Sequence, residues 1–395
     1  MKHRAISIAR GLAISISLCG VVTCAGPDVT VAQPPSPIPA DATPPNDAPI
    51  ESALPLDALV TPAVIEATPG APEVWLKGST HVHARPSGDS TTPIPEVLRW
   101  YEDRRYDFIV LTDHNQVSEI DRTTSTQGQV TLRPAGDRGL IVFAGIELTH
   151  NPSDCIPAGD ASGKCRIHVN LLGVPARPAG KVEWANRKTH ERLLKYEAAL
   201  ETQKSLGGIA QINHSNWFWG MTGDLLADLG RRGFALVEIS NMAFSTWNAG
   251  DKDHPSLDAI WDAALAKGVT LWGVASDDAH DYSGKAGAKY PAGGGWITVK
   301  AARDPQAILA AIAAGRFYAS TGVVLARAEV DHDELVVEVD AGETGTYTIE
   351  FIENGTRVGR VKGRSARRAV PQTGYVRALV TRDDGTRAWV QPARR

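Results

Sequence analysis

The residues of this chain best suited to chemistry are histidines and carboxylates at the ends of apolar segments. The stretch "KGSTHVHARPSGDS" (77–90) carries His81 and His83, and an i, i+2 pair on a strand projects both imidazoles from one face. Asp278 and His280 repeat this spacing in "GVASDDAH". A His-x-His pair alone is more often two surface residues than a metal site, so its meaning depends on what accompanies it.

Further histidines and carboxylates occupy similar positions along the chain. They are Asp113 and His114 in "VLTDHN", Glu147 in "AGIELTH", His168 in "RIHVNLL" and His214 in "QINHSN". Each has an ordinary explanation by itself, such as a turn after a strand or a core histidine, but their shared placement predicts a metal site. A set of His, Asp and Glu without thiolates suits zinc, manganese or iron, and Glu147 is the best candidate for a bridging ligand.

Short strand-like segments that alternate with helical ones must position these side chains. Eight such strands are predicted between residues 74 and 300, and the helices are predicted at 93–105, 188–206, 224–232, 255–267 and 304–314. This alternation is typical of parallel strands with crossover helices, and seven or eight units favour a closed α/β barrel over an open sheet. The C-terminal ends of barrel strands converge on one face, where active sites lie.

The N-terminal part of the chain differs in composition from the rest. Basic residues followed by an apolar run predict a signal peptide over residues 1–25, with Cys24 as an alternative lipid-attachment site. Residues 26–73 are predicted to be a disordered linker, because positions 27–72 hold twelve prolines, no Lys or Arg and six acidic residues. We therefore expect an exported protein that is periplasmic, extracellular or lipid-anchored, with no membrane insertion of the mature domain.

Export also bears on the two later cysteines. Cys155 and Cys165 enclose a polar loop, and an oxidising compartment favours a disulfide between them. The alternative, a thiolate zinc site, would need a closer cysteine spacing.

The C-terminal part of the chain loses the strand–helix alternation. Residues 323–395 contain short strands joined by Asn-Gly and Asp-Gly turns, which predict a small antiparallel, β-sandwich-like domain. The formal net charge of −4 argues against nucleic acid as a partner.

The ordered motifs "HVH", "LTDHN", "GIE", a single histidine, "INH" and "SDDAH" resemble those of the polymerase and histidinol phosphatase (PHP) superfamily of metal-dependent phosphoesterases. The similarity covers residues 74–322. The segment "AILAAIAAGRFYASTG", followed by a β domain, is similar to the CehA/McbA-like branch, which includes carbamate hydrolases.

The resemblance implies a distorted seven-stranded (β/α) barrel, followed by the small β domain, and two or three divalent ions. Carried over by motif, it implies one ion held by His81, His83, Glu147 and Asp278, a second by Glu147, His168 and His214, and a third by His114, His280 and Asp89. Two positions depart from the family pattern: Gly88 stands where an aspartate is usual, with Asp89 one residue later, and Ser215 replaces a proline. Asp277 is an additional carboxylate, which we expect to support the ligands rather than bind metal.

These observations predict a metal-dependent hydrolase of phosphomonoesters or phosphodiesters that acts through a metal-bridging hydroxide in a bi- or trinuclear site. Asp113 or His280 would transfer protons, and the partner would be a small-molecule ester. Hydrolysis of a carboxylic or carbamate ester or amide is the alternative, because the aromatic stretch "NWFWG" after His214 could bind an apolar leaving group. A non-catalytic extracytoplasmic metal-binding module is a second alternative.

Overall fold

The computed structural model describes residues 71–118 and 139–395, which form one compact unit. The predicted signal peptide and most of the predicted linker therefore lie outside the described residues, and the limits of the four predicted segments remain predictions. Among the described residues, no helix is both long and apolar enough to span a membrane.

Strands dominate this unit. In chain order they are β1 Val74–Val82, β2 Phe108–Leu111, β3 Ile141–His150, β4 Ile167–Leu172, β5 Ile209–Ile212, β6 Leu236–Asn241, β7 Trp272–Ser276, β8 Trp296–Ala301, β9 Phe317–Ser320, β10 Leu325–Asp331, β11 Glu334–Val339, β12 Tyr347–Glu353, β13 Thr356–Lys362, β14 Ser365–Ala369, β15 Val376–Arg382 and β16 Arg387–Ala393. Strands β2 and β4 are buried along their whole length; β2 is entirely apolar, whereas β4 carries the buried polar residues His168 and Asn170.

The helices are fewer and lie between strands. They are α1 Ile94–Asp103, α2 Arg192–Leu206, α3 Gly223–Arg232, α4 Ser245–Ala249, α5 Leu257–Leu265 and α6 Pro305–Ala313. Side chains of Thr222, Ser256 and Asp304 accept hydrogen bonds from backbone amides and cap α3, α5 and α6. All but α4 match helices predicted from the sequence.

The predicted architecture, a (β/α) barrel with a separate small β domain, is wrong. The strands form one thirteen-stranded mixed sheet, in the order β13-β12-β15-β16-β9-β8-β1-β2-β3-β4-β5-β6-β7, and a three-stranded sheet, β10-β11-β14. Only the neighbours β1–β2, β2–β3, β5–β6 and β6–β7 are parallel. The seven-stranded all-parallel arrangement expected from alternation is therefore absent from the described residues.

Two features of the chain account for this difference. A loop without a crossover helix joins β3 to β4, so these strands pair antiparallel, and β8 pairs antiparallel with β1. In addition, β9 continues into the C-terminal strands, because β16 pairs along its other edge. The apolar periodicity of a buried strand does not reveal the direction of its neighbour.

The sheet curves so that β7 contacts β1, β8 and β9, and a parallel bridge joins Val82 to Ala279 just after β7. This curvature brings the ends of β1, β2, β3, β5 and β7 to one region. The side chains that follow these strands are consequently gathered although they are far apart in sequence.

Contacts between β7, α5 and the C-terminal strands are polar as well as apolar. The buried Arg377 guanidinium on β15 donates to both carboxylate oxygens of Asp262 on α5, at 2.7 and 2.6 Å, and to Asp258 at 2.9 Å. The side-chain amide of Gln391 on β16 both accepts from and donates to the backbone of Gly273 on β7. Both interactions satisfy polar groups that would otherwise be buried without partners.

The predicted disulfide is confirmed. Cys155 and Cys165 are buried and bonded, and they close the loop between β3 and β4.

Candidate metal centre

The predicted metal ligands come together where the strands converge. His81 lies on β1 with His83 directly after it, and the others lie on or beyond the ends of β2, β3, β4, β5 and β7. Most are almost fully buried; the exceptions are His114, with a side chain 20% exposed, and Asp89, with a side chain 53% exposed. Ionisable side chains are rarely buried together in a protein core, and such a cluster indicates a functional site.

Three groups of these side chains have ligand atoms within 4.8 Å of one another. They are His81, His83 and Asp278; His81, Glu147 and His214; and His83, Asp89, His114 and His280. Neighbouring groups share His81 or His83. Buried His, Asp and Glu side chains are thus within metal-binding distance of each other in the described structure.

Asp278 is the carboxylate of the first group. Its Oδ1 atom lies 3.1 Å from Nε2 of both His81 and His83. Its backbone has a φ of 53°, a left-handed conformation that is rare for a residue with a side chain. Such local strain persists only where the surroundings impose it, and it is concentrated at functional sites.

Glu147 is the carboxylate of the second group and lies at its centre. Its oxygens are 3.3 Å from His81 Nε2 and 3.6 Å from His214 Nε2, while His114 Nδ1 is 2.5 Å away. Although burial opposes ionisation, His168, His114 and His81 hold the pKa of Glu147 well below its usual range. The carboxylate is therefore an anion, as a metal ligand must be.

The third group opens towards solvent through Asp89. Its Oδ2 atom lies 3.0 Å from His114 Nε2 and 3.2 Å from His280 Nε2. Burial opposes protonation of His114, but Glu147 and Asp89 raise its pKa to about 10. Burial, together with the nearby imidazoles of His280 and His114, lowers the pKa of His83 to about 3.

The hydrogen bonds of the histidine rings show whether these residues could hold a cation. Nδ1 of His81 pairs with Glu238 Oε1 at 2.7 Å, Nδ1 of His83 with Ser87 Oγ at 2.6 Å, and Nδ1 of His280 with the backbone oxygen of Asp278 at 2.8 Å. In all three histidines, Nε2 is buried and makes no well-aligned hydrogen bond among the described residues, and it faces a carboxylate oxygen 3.1–3.2 Å away.

When a histidine binds a metal, one nitrogen holds the ion and the other donates to an acceptor that fixes the ring. The arrangement of these three rings therefore fits divalent cations.

His168 is placed differently from the other predicted ligands. Its Nδ1 lies 3.1 Å from Glu147 Oε1 and its Nε2 lies 2.8 Å from Asn151 Oδ1, and it belongs to none of the three groups. In the group around Glu147 and His214, the third member is His81 instead. The assignment of His168 as a ligand stays a prediction.

Asp113 and Asp277 are both buried but bind backbone amides. Asp113 accepts from Ala84 at 2.8 Å, and burial raises its pKa. Asp277 accepts from Gly293, Gly294 and Gly295 at 2.6–2.7 Å. Burial raises the pKa of Asp277 to about 6, although those amides oppose the shift. Asp277 therefore binds the backbone of residues 293–295, and its support of the ligands stays a prediction.

Glu238 is not among the site residues predicted from the sequence. It lies on β6, is fully buried, and accepts from the backbone amide of His214 at 2.6 Å besides pairing with His81. Its neighbours Ser276 and Asn241 also donate to it. The available signal was an acidic residue in the middle of the apolar segment "ALVEIS".

Aromatic rings border the metal centre on one side. Trp217 lies 5.4 Å from His214 and 6.0 Å from His168, Phe244 lies 4.5 Å from His214, and Tyr290 lies 5.3 Å from His280, measured between ring centroids.

A groove of about 790 Å³ borders the centre at the third group. Asp89 and His280 line it, together with Trp100, Lys285 and Tyr290. Small molecules could therefore reach Asp89 and His280 from solvent.

A comparison with protein-family models and with curated proteins finds no match to this chain. The resemblance to the PHP superfamily accordingly rests on the motifs and remains a prediction.

Proposed function

We propose that this protein is a metal-dependent hydrolase of phosphomonoesters or phosphodiesters. The observation that supports it most is that the buried Nε2 atoms of His81, His83 and His280 face carboxylate oxygens at 3.1–3.2 Å without a well-aligned hydrogen bond among the described residues, which leaves them free to turn to an ion. Glu147 and Asp278 provide the negative charge that balances divalent ions. The order of motifs resembling the PHP superfamily adds to this proposal.

Two or three ions of zinc, manganese or iron would be held by the three groups. The groups overlap, and because Nδ1 of His81 and of His83 is already paired, each of these rings offers one nitrogen and can serve only one ion. A site formed by His114, His280 and Asp89 depends on the exposed Asp89. Bound ions supply Lewis acidity and a lowered water pKa.

The residues of the chain contribute positioning and proton transfer. His280 lines the groove, and although burial opposes it, Asp89 raises the pKa of His280. If no ion occupies the group around Asp89, a protonated His280 can donate to a leaving group that enters from the groove; an ion bound at its Nε2 would exclude that role. Asp113 is the other proposed proton carrier, but its contact with Ala84 directs one oxygen to the backbone, so His280 is better placed.

A carboxylic or carbamate ester hydrolase is the second candidate. The aromatic rings of Trp217, Phe244 and Tyr290 beside His214 and His280 favour an apolar leaving group, which such substrates often carry. The same ligand groups would support this reaction.

The test is turnover by metal-loaded protein on p-nitrophenyl phosphate, bis(p-nitrophenyl) phosphate, p-nitrophenyl acetate and an aryl carbamate. We expect the phosphoesters to be cleaved fastest, and we expect Asp278→Asn to abolish turnover and reduce bound metal measured by elemental analysis. Asp228→Asn, an exposed aspartate paired with Arg231, is the matched control. Turnover of the neutral esters alone would favour the second candidate, and no turnover at full metal occupancy would refute both.

We also propose that the protein is exported. The disulfide between Cys155 and Cys165 supports this, because such bonds persist mainly in oxidising compartments. Detection of the protein in the extracytoplasmic fraction of cells would test it, and recovery in the reducing cytoplasm alone would contradict it.

A further inference from the structure

Arg166 lies just outside the loop that the disulfide closes, two residues before the predicted ligand His168. It directly follows Cys165, and its Nη1 donates to the Cys165 backbone oxygen at 2.7 Å. The guanidinium carbon lies 5.0 Å from the ring centroids of both Trp217 and Phe218. The aromatic faces therefore hold the guanidinium group in one orientation.

No carboxylate balances this charge. Among the described residues Arg166 forms no salt bridge, and its Nε and Nη2 donors have no hydrogen-bond partner. Stacking occupies the face of a guanidinium group and leaves the N–H donors at its edge available. Arg166 is partly buried, so its desolvated charge would be stabilised by an anion that binds beside it.

A second cation faces the same rings. Nζ of the exposed Lys164 lies 5.8 Å from the centroid of Phe218 and forms no salt bridge within the described part of the chain. Arg166 and Lys164 thus place positive charge next to the turn Trp217–Trp219, called the aromatic turn below.

The aromatic turn connects these cations to the metal ligands. The Trp217 ring that stacks with Arg166 also contacts His214, a member of the group around Glu147. Phe218 has a φ of 61°, and a Cβ added to Gly159 in the disulfide loop would lie 1.9 Å from the Phe218 backbone oxygen. The disulfide loop and the turn are therefore closely packed, which keeps Arg166 next to the ligands.

We infer that Arg166, assisted by Lys164, forms an anion-binding subsite that receives phosphoryl oxygens of the substrate beside His214. This inference rests on the proposed phosphoesterase function and deepens it. A planar guanidinium group matches the paired oxygens of a phosphate, whereas the neutral carbonyl of a carboxylic ester offers no net charge. The subsite would accordingly favour phosphoesters over neutral esters.

Binding of inorganic phosphate to the full chain tests the inference without requiring turnover. Isothermal titration calorimetry would compare metal-loaded and chelator-treated wild type with Arg166→Gln, Arg166→Lys and the control Arg360→Gln, which removes an exposed cation from β13. We expect Arg166→Gln to weaken phosphate binding about 10- to 100-fold, as loss of a charge-assisted hydrogen bond should. Arg166→Lys should lose less, and Arg360→Gln should bind like wild type.

Kinetics separate this role from simple packing on the aromatic rings. Arg166→Gln should raise KM for p-nitrophenyl phosphate while leaving the kinetics with p-nitrophenyl acetate within about twofold of wild type. Equal losses on both substrates, unchanged phosphate affinity in Arg166→Gln, or no phosphate binding by wild type would each overturn the inference. If phosphate binding depends on Arg166 but no phosphoester is cleaved, the subsite stands and the proposed function fails.

Discussion

Substituting Glu238 with glutamine is expected to weaken metal binding although Glu238 belongs to none of the ligand groups. Its Oε1 faces His81 Nδ1 at 2.7 Å and the Ser276 hydroxyl at 2.5 Å, and its Oε2 accepts from the His214 amide at 2.6 Å. Two acceptors are required by these contacts. A glutamine side chain has one acceptor and one donor group.

Either orientation of the glutamine disturbs the centre. With its NH₂ towards the His214 amide, two donors face each other and the turn after β5 is displaced. With its NH₂ towards His81, Nδ1 must act as acceptor, so the proton moves to Nε2. A protonated Nε2 points at the metal position and cannot bind an ion.

Loss of such an orienting partner lowers metal affinity about 10- to 100-fold, or about 1.4–2.8 kcal/mol. We expect the upper end of that range, because both orientations are unfavourable. Competition with a chromogenic chelator would measure the affinity. Glu350→Gln, a carboxylate on β12 paired with the exposed Arg357, is the matched control. A Glu238→Gln protein that is folded and binds metal as tightly as wild type would refute the tautomer argument.

Three further predictions concern stability. Burial lowers the pKa of Lys77 to about 8, so between about pH 8 and 10.5 the unfolded chain holds more of this proton than the folded chain does. Lys77 should therefore make the free energy of unfolding rise with pH in this range. Urea titrations at about pH 8 and 10.5 would measure the rise, and Lys77→Met should remove it. Arg377→Met should lower the free energy of unfolding by about 3–5 kcal/mol, because Asp262 is left buried without its partner, and an unchanged denaturation midpoint would contradict this. Replacing Cys155 and Cys165 by serine should lower the free energy of unfolding by about 2–3 kcal/mol, because the disulfide closes a loop with a sequence separation of 10. Thermal melting of oxidised and reduced wild type provides the comparison.

The gathering of His81, Glu147, His214 and Asp278 agrees with a prediction made from sequence, because polar residues at apolar strand ends have few other reasons to occur together. The helices were also predictable, since the caps at Thr222, Ser256 and Asp304 are local signals. Local patterns suffice for such features.

The architecture was not predictable, because strand direction and neighbours depend on contacts between distant segments. Nothing in "RIHVNLL" shows that β4 pairs antiparallel with both β3 and β5. Likewise, no local signal shows that the His168 ring contacts Glu147 and Asn151. The supporting role of Glu238 required knowing that β6 lies near β1.

The pairing of β16 with β9 limits how the C-terminal strands could be removed or replaced during evolution. Removing residues 323–395 would leave β9 with an unpaired edge and would deprive Gly273 of both hydrogen bonds from Gln391. An open strand edge invites pairing with other chains, so such a fragment should self-associate. The C-terminal strands therefore cannot be exchanged freely for another domain. A recombinant that replaced residues 323–395 would need a new strand to pair with β9 and a side-chain amide to replace that of Gln391 at β7.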